Sequence, residues 1–81
     1  MEREKLEQIF EETESEWEGD NAFLGLQILS KYTDNLIEGA EHDIIYSADI
    51  DSVIDKLTEE DAISLAKLNW MISDDCFSCF V

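Results

Sequence analysis

Asp43-Ile44-Ile45-Tyr46-Ser47 is the stretch that decides the fold class. Its β-branched and aromatic residues predict a short strand over about 43–48, with Ile44 and Tyr46 facing one way and Ile45 the other. Cys76 to Val81 reads as a terminal strand. The two can pair as a short two-stranded sheet packed on helices, which is α+β logic in the order α-α-β-α-β. An all-α bundle is the alternative, because neither strand is long and a two-stranded sheet is marginal without helix packing.

Between the two strands, Asp49 or Asp51 begins a short helical turn that gathers Val53, Ile54 and Leu57. Thr58-Glu59-Glu60-Asp61 resembles a capping box with Asp in place of Glu or Gln. It opens a helix through Ala62, Ile63, Leu65, Ala66, Leu68 and Asn69 that is expected to end near Trp70 to Ile72. Asp74-Asp75 then makes a turn. On the amino-terminal side Gly39 and Ala40 mark a break. Before it, Asp20 can cap a helix to about Ile37, and its apolar residues, Phe23, Leu24, Leu26, Ile28 and Leu29 among them, make it the expected structural centre. Gly25 costs helix propensity in mid-helix, which predicts the close approach of another element.

The first helix is expected from about Glu2 to Glu18, ending at Gly19. Glu4, Glu7, Glu11, Glu14 and Glu18 recur at helical spacing and would form one acidic face about 21 Å long at 1.5 Å per residue. Leu6, Ile9, Phe10, Thr13 and Trp17 fall behind them. The acids continue to the carboxyl end of the helix, where the dipole disfavours them.

The 81 residues fit one domain, 1–81, and 44% apolar content suffices for a packed core. Twenty-one acids against five bases give a formal net charge of -16, so self-repulsion weakens the compact state. That field repels DNA, RNA and anionic lipid and attracts basic protein surfaces. Direct nucleic-acid binding and membrane association are therefore not expected. Met1-Glu2-Arg3-Glu4-Lys5 is not followed by an apolar signal region, and no apolar run approaches the roughly 18 residues of a membrane span, so a cytoplasmic location is expected.

Few motifs carry chemistry. Cys76-Phe77-Ser78-Cys79 lacks further ligands for zinc apart from His42, and on a strand its two thiols point to opposite faces, so both read as small buried residues. Asp49, Asp51, Asp55 and Glu60 mimic the acids of a calcium loop, but Val53 and Ile54 stand where an oxygen ligand and a glycine are needed. His42 beside Asp43 reads as a surface histidine, and Gly19, Gly25 and Gly39 are too scattered for a phosphate loop. No catalytic residue, cofactor or metal is predicted.

The charge remains. Glu38 to Asp61 holds nine acids against the single Lys56, a second acidic region. The candidate partner-binding residues are Glu4, Glu7, Glu11, Glu14 and Glu18 in the first region. In the second they are Glu38, Glu41, Asp43, Asp49, Asp51 and Asp55. Either could imitate the phosphate row of DNA for a groove lined with Lys and Arg, or could simply keep the protein soluble.

His42-Asp43-Ile44-Ile45-Tyr46, Leu68-Asn69-Trp70 and Cys79-Phe80-Val81, on a short acidic chain, give it a resemblance to small acidic inhibitor proteins encoded by phages and mobile elements. Bacteriocin immunity proteins are similar in size and charge. Their Asp-Leu-Ile-Tyr-Tyr-like segment is echoed by Asp43-Ile44-Ile45-Tyr46, but Ser47 replaces the second Tyr, so recognition by a Tyr pair does not carry over. The -16 charge on two faces, together with this resemblance, leads to the expectation of a non-enzymatic inhibitor of a basic, nucleic-acid-binding surface on a host defence complex or nuclease. The competing expectations are a protein-interaction adaptor with a merely solubilising acidic surface, and a homodimer binding metal through Cys76, Cys79 and His42.

Overall fold

Residues 1–16 and 19–80 are described by the structure, a computed structural model. Thr58 accepts a hydrogen bond from the Asp61 amide at 3.1 Å and starts α4 (Glu59–Lys67), as the capping signature predicts. The helix stops short of Trp70 because Asn69 adopts the left-handed conformation at φ 65°. Trp70 N then bonds Leu65 O, and Asn69 N bonds Ala66 O, both at 3.1 Å. These paired bonds form a Schellman motif, with Asn serving where Gly is commoner.

The expected strands are present and pair. β2 (Ile44–Asp49) lies antiparallel to β4 (Cys76–Phe80), with Ile44 opposite Phe80 and Tyr46 opposite Ser78. The sheet nevertheless has four strands, not two. β1 (Gly39–Glu41) pairs with β2, and β3 (Met71–Ser73) pairs with β4, giving the antiparallel order β1-β2-β4-β3. Both hairpins close through two-residue turns, His42-Asp43 and the expected Asp74-Asp75. His42 and Asp74 take positive φ, which short polar residues tolerate best. Opposite Phe77, β2 carries two residues, Ser47 and Ala48, in a bulge that turns both inward.

Alternation along β4 then defines the faces. Phe77 and Cys79 point into the core with Leu6, Leu29, Ile50, Val53, Leu65 and Trp70. The Phe10 ring lies 6.1 Å from that of Phe77. α1 (Arg3–Glu12), α2 (Asn21–Leu29), the short α3 (Ile50–Val53) and α4 all contribute buried residues to this one cluster. Helices therefore form one layer and the sheet the other.

Both amino-terminal helices are shorter than their periodicity predicts. α1 ends at Glu12, and Thr13 is already extended at ψ 126°. The segment that follows bonds elsewhere, Glu16 N reaching Lys67 O at 2.7 Å. Charge repulsion with the helix dipole leaves little to oppose that exchange. Gly19 does take the left-handed conformation, at φ 91°, but seven residues beyond the helix it was expected to end. α2 stops at Leu29 rather than Ile37 because Tyr32 turns aside, its hydroxyl donating to the Asp61 carboxylate on α4. Gly25 meets the expected neighbour, since the indole of Trp70 packs against its Cα and donates Nε1–H to Asn21 O at 2.9 Å.

Candidate functional site

The first acidic row does not survive intact. Glu4, Glu7 and Glu11 share α1, Glu14 lies beyond its end on extended chain, and Glu18 lies outside the described residues. A continuous 21 Å array on one helix is thus replaced by three carboxylates over about two turns. Glu7 is further offset by Arg3, whose Nε stands 4.0 Å from Glu7 Oε1.

Strand pairing instead assembles the second region. Glu41 and Asp43 stand at one end of the β1–β2 hairpin, both exposed. At the other end the Glu38 carboxyl hydrogen-bonds with that of Asp49, and Asp74 and Asp75 lie close enough for all four to bear on the Cys76 thiol. Asp51 and Asp55 are also exposed but sit on and after α3, apart from the strand ends. The hydrogen bond with Asp49, together with burial and the Asp49 charge, raises the Glu38 carboxyl above its ordinary value, although Asn35 donates to it at 2.8 Å. Burial, then the charges of Glu38, Asp49, Asp74 and Asp75, pushes the Cys76 thiol up. Burial alone does the same for Cys79. Both are free thiols on opposite faces of β4, and a thiol held protonated is a poor nucleophile. Cys76 is only partly buried, which departs from the expectation for it; Cys79 meets that expectation.

No strand contains Lys or Arg, although Arg3 of α1 reaches the sheet and donates from Nη2 to Asp74 O in the β3–β4 turn at 2.6 Å. Lys5 pairs with Glu59 at 2.9 Å and Lys31 with Asp61 at 2.7 Å. Among the described residues no three His, Cys, Asp or Glu side chains are grouped to hold a metal ion. No helix among them is long and apolar enough to cross a membrane.

Two open clefts mark the helical side. One of about 390 Å³ lies between α1, α4 and β3, with Phe10, Trp70 and Ile72 in its wall and Glu7 and Glu11 beside them. The other, about 500 Å³, runs between α2 and α4 over Leu24, Ile28 and Leu68, flanked by Lys31 and Lys67.

Asp61 serves the scaffold. Burial opposes its charge, its side chain being 15% exposed, but hydrogen bonds from Lys31 and Tyr32 outweigh that and hold the carboxyl below its ordinary value. A depressed folded value means the contribution is present above the unfolded pKa of about 3.9 and is lost as pH falls through the lower folded value. Asp61→Asn keeps an acceptor for Tyr32 but loses the ion pair. It should lower Tm at pH 7 by about 4 to 8 °C, for a loss of roughly 1 kcal/mol in a domain of this size. Thermal melts across pH should show the variant and parent converging in acid, as pH falls through the lowered folded value. A constant gap would mean that the charge of Asp61 is not what matters.

Searches against known protein families, curated proteins and solved structures find no match.

Proposed function

We propose that this chain is a non-enzymatic acidic inhibitor that occupies a basic, nucleic-acid-binding surface of another protein, a nuclease or a defence complex. The observation that supports the reading is the segregation of charge. Carboxylates gather at both ends of a sheet whose strands contain no Lys or Arg, Arg3 of α1 reaching only the Asp74 carbonyl at one corner, and Lys5 and Lys31 are engaged by acids on the helical side. Such a surface presents a negative potential that steers a basic partner and excludes DNA from the same groove.

The test is competition. Binding to a panel of basic nucleases should weaken steeply with salt and should be displaced by duplex DNA. Glu38→Gln/Glu41→Gln/Asp43→Asn/Asp49→Asn should reduce affinity by on the order of a hundredfold, if each close charge pair is worth about 1 kcal/mol or less. Glu4→Gln/Glu7→Gln/Glu11→Gln removes nearly as much charge from the dispersed helix row and should cost less. Equal binding by all three proteins would refute the reading.

The adaptor alternative has one observation in its favour. Phe23 is 60% exposed on α2, and Leu24 is exposed in the wall of the cleft between α2 and α4. An adaptor using that cleft would keep its partner after either set of acid substitutions and lose it on Leu24→Ser.

A further inference from the structure

The two faces of the sheet are treated unequally by the fold. Phe77, Cys79 and Ile72 on the inner face pack with the helices. Ile44, Tyr46, Met71 and Phe80 on the outer face have no part in that cluster; Phe80 is 42% exposed, the other three are half-buried, and Ser78 between them is fully buried. Register puts these four side by side. Glu41, Ile44 and Phe80 make one row across the sheet. The next row is Gly39, Tyr46, Ser78 and Met71, and the third has Asp49, Cys76 and Ser73. The apolar rows are therefore bounded by Glu41 and Asp43 at one end and by Asp49, opposite Cys76, at the other.

We propose that this outer sheet face, on which no helix packs, is the docking surface for the basic partner, and that it receives arginine-bearing protein surface with an apolar residue at its centre. The proposal rests on the acidic-inhibitor reading above and adds the place and the chemistry of contact. Charge complementarity selects the occupant. A second copy would set Glu41, Asp43 and Asp49 against themselves across a two-fold axis, at a net charge of -16 on each chain. Nucleic acid and anionic lipid carry the same sign. Arginine suits the face better than lysine, because a planar guanidinium can stack on Tyr46 or Phe80 while its fork reaches a neighbouring carboxylate.

Size determines how the two kinds of contact share the work. Four strands about 4.8 Å apart, of three, six, three and five residues at roughly 3.3 Å each, present a plane of only about 270 Å². A stable interface buries about 800 Å² per partner, so the acidic rim must engage as well. Binding should therefore need both the apolar centre and low salt.

The experiment is amide chemical-shift mapping on the isotope-labelled full chain. It is titrated with a short acetylated peptide of alternating arginine and leucine, and separately with one of alternating lysine and glycine. The arginine-leucine peptide should move Ile44, Tyr46, Met71, Ser78 and Phe80. It should bind on the order of tenfold more weakly to Phe80→Ser, the effect of truncating an interface anchor. The lysine-glycine peptide of equal charge should bind more weakly and shift residues diffusely. Phe80 is exposed, so its replacement should leave the spectrum of the free protein folded; Tyr46→Ser provides a second variant on the same face. Salt-sensitive binding that maps to Glu4, Glu7 and Glu11 and ignores Phe80→Ser would overturn this proposal while leaving the acidic-inhibitor reading standing. Absence of salt-sensitive binding to either peptide would overturn both. Concentration-dependent broadening of the same residues without peptide would assign the face to self-association and overturn the docking proposal alone.

Discussion

Gly25→Ala should lower Tm by roughly 5 to 20 °C, although on helix propensity alone the change is favourable by about 1 kcal/mol. A methyl at this position would stand 1.9 Å from Trp70 Nε1 and 2.1 Å from Cε2, distances no carbon contact tolerates. The indole cannot swing away cheaply. It is 3% exposed, and its Nε1–H is held by Asn21 O. Overpacking of this kind costs about 1 to 3 kcal/mol, and the displaced Trp70 hydrogen bond adds about 1 kcal/mol, so steric cost outweighs propensity by about 1 to 3 kcal/mol. In a domain whose total stability is on the order of 5 to 10 kcal/mol that is a large fraction. Circular dichroism melts would show it, with Trp fluorescence reporting the indole. Trp70→Phe removes the clashing atoms, so the double variant should be less destabilised than the two single effects combined. A higher Tm for Gly25→Ala would mean that the two elements do not meet at this point.

Gly25 shows what a sequence reveals and where it stops. A glycine in a helix with no turn to make signals a close neighbour, but the identity of that neighbour, forty-five positions away, is a tertiary fact. Local chemistry was legible where one residue type does one job. Thr58 capped α4 and Asp74-Asp75 turned the second hairpin as their side chains predict. Helix lengths were less legible because periodicity does not register what pulls a chain away from its helix. Tyr32 leaves the α2 path for Asp61, and Glu16 pairs with the Lys67 carbonyl. Two strands were missed for a related reason. Gly39-Ala40-Glu41 and Met71-Ile72-Ser73 are three residues each, too short for alternation to show, and both are edge strands defined by the neighbours they pair with. The candidate surface followed the same pattern. Acids spaced for a helix were visible as a row that the fold then cut short. Those joined by strand register, Asp49 with Cys76 and Glu41 with Ile44, were visible only as composition.

Asn21→Asp should destabilise the chain by about 3 kcal/mol or more at pH 7 and should recover on acidification. Asn21 is fully buried, and its Nδ2 donates to two main-chain carbonyls, Glu16 O at 3.1 Å and Leu68 O. The side chain thereby ties the segment after α1 and the end of α4 to the first turn of α2. A carboxylate in its place turns both donations into oxygen facing oxygen, and a buried charge set against two acceptors costs about 3 to 5 kcal/mol. One effect opposes this: a negative charge in the first turn of α2 gains from the helix dipole, but only about 0.3 to 1 kcal/mol. The penalty wins. Burial and the two carbonyls would raise the folded pKa of the new carboxyl above its unfolded value of about 3.9. With the folded value raised, the protonated form is the one the fold tolerates. Parent and variant should therefore approach each other below about pH 4 and diverge as pH rises through the folded pKa. Denaturant midpoints measured from pH 3 to 8 would show the gap opening. Asn21→Ala loses the same two donations without introducing charge, so it should stay destabilised by a similar amount at every pH. If Asn21→Asp behaves like Asn21→Ala, the damage is the lost hydrogen bonds; a gap that closes only for Asn21→Asp identifies the buried charge.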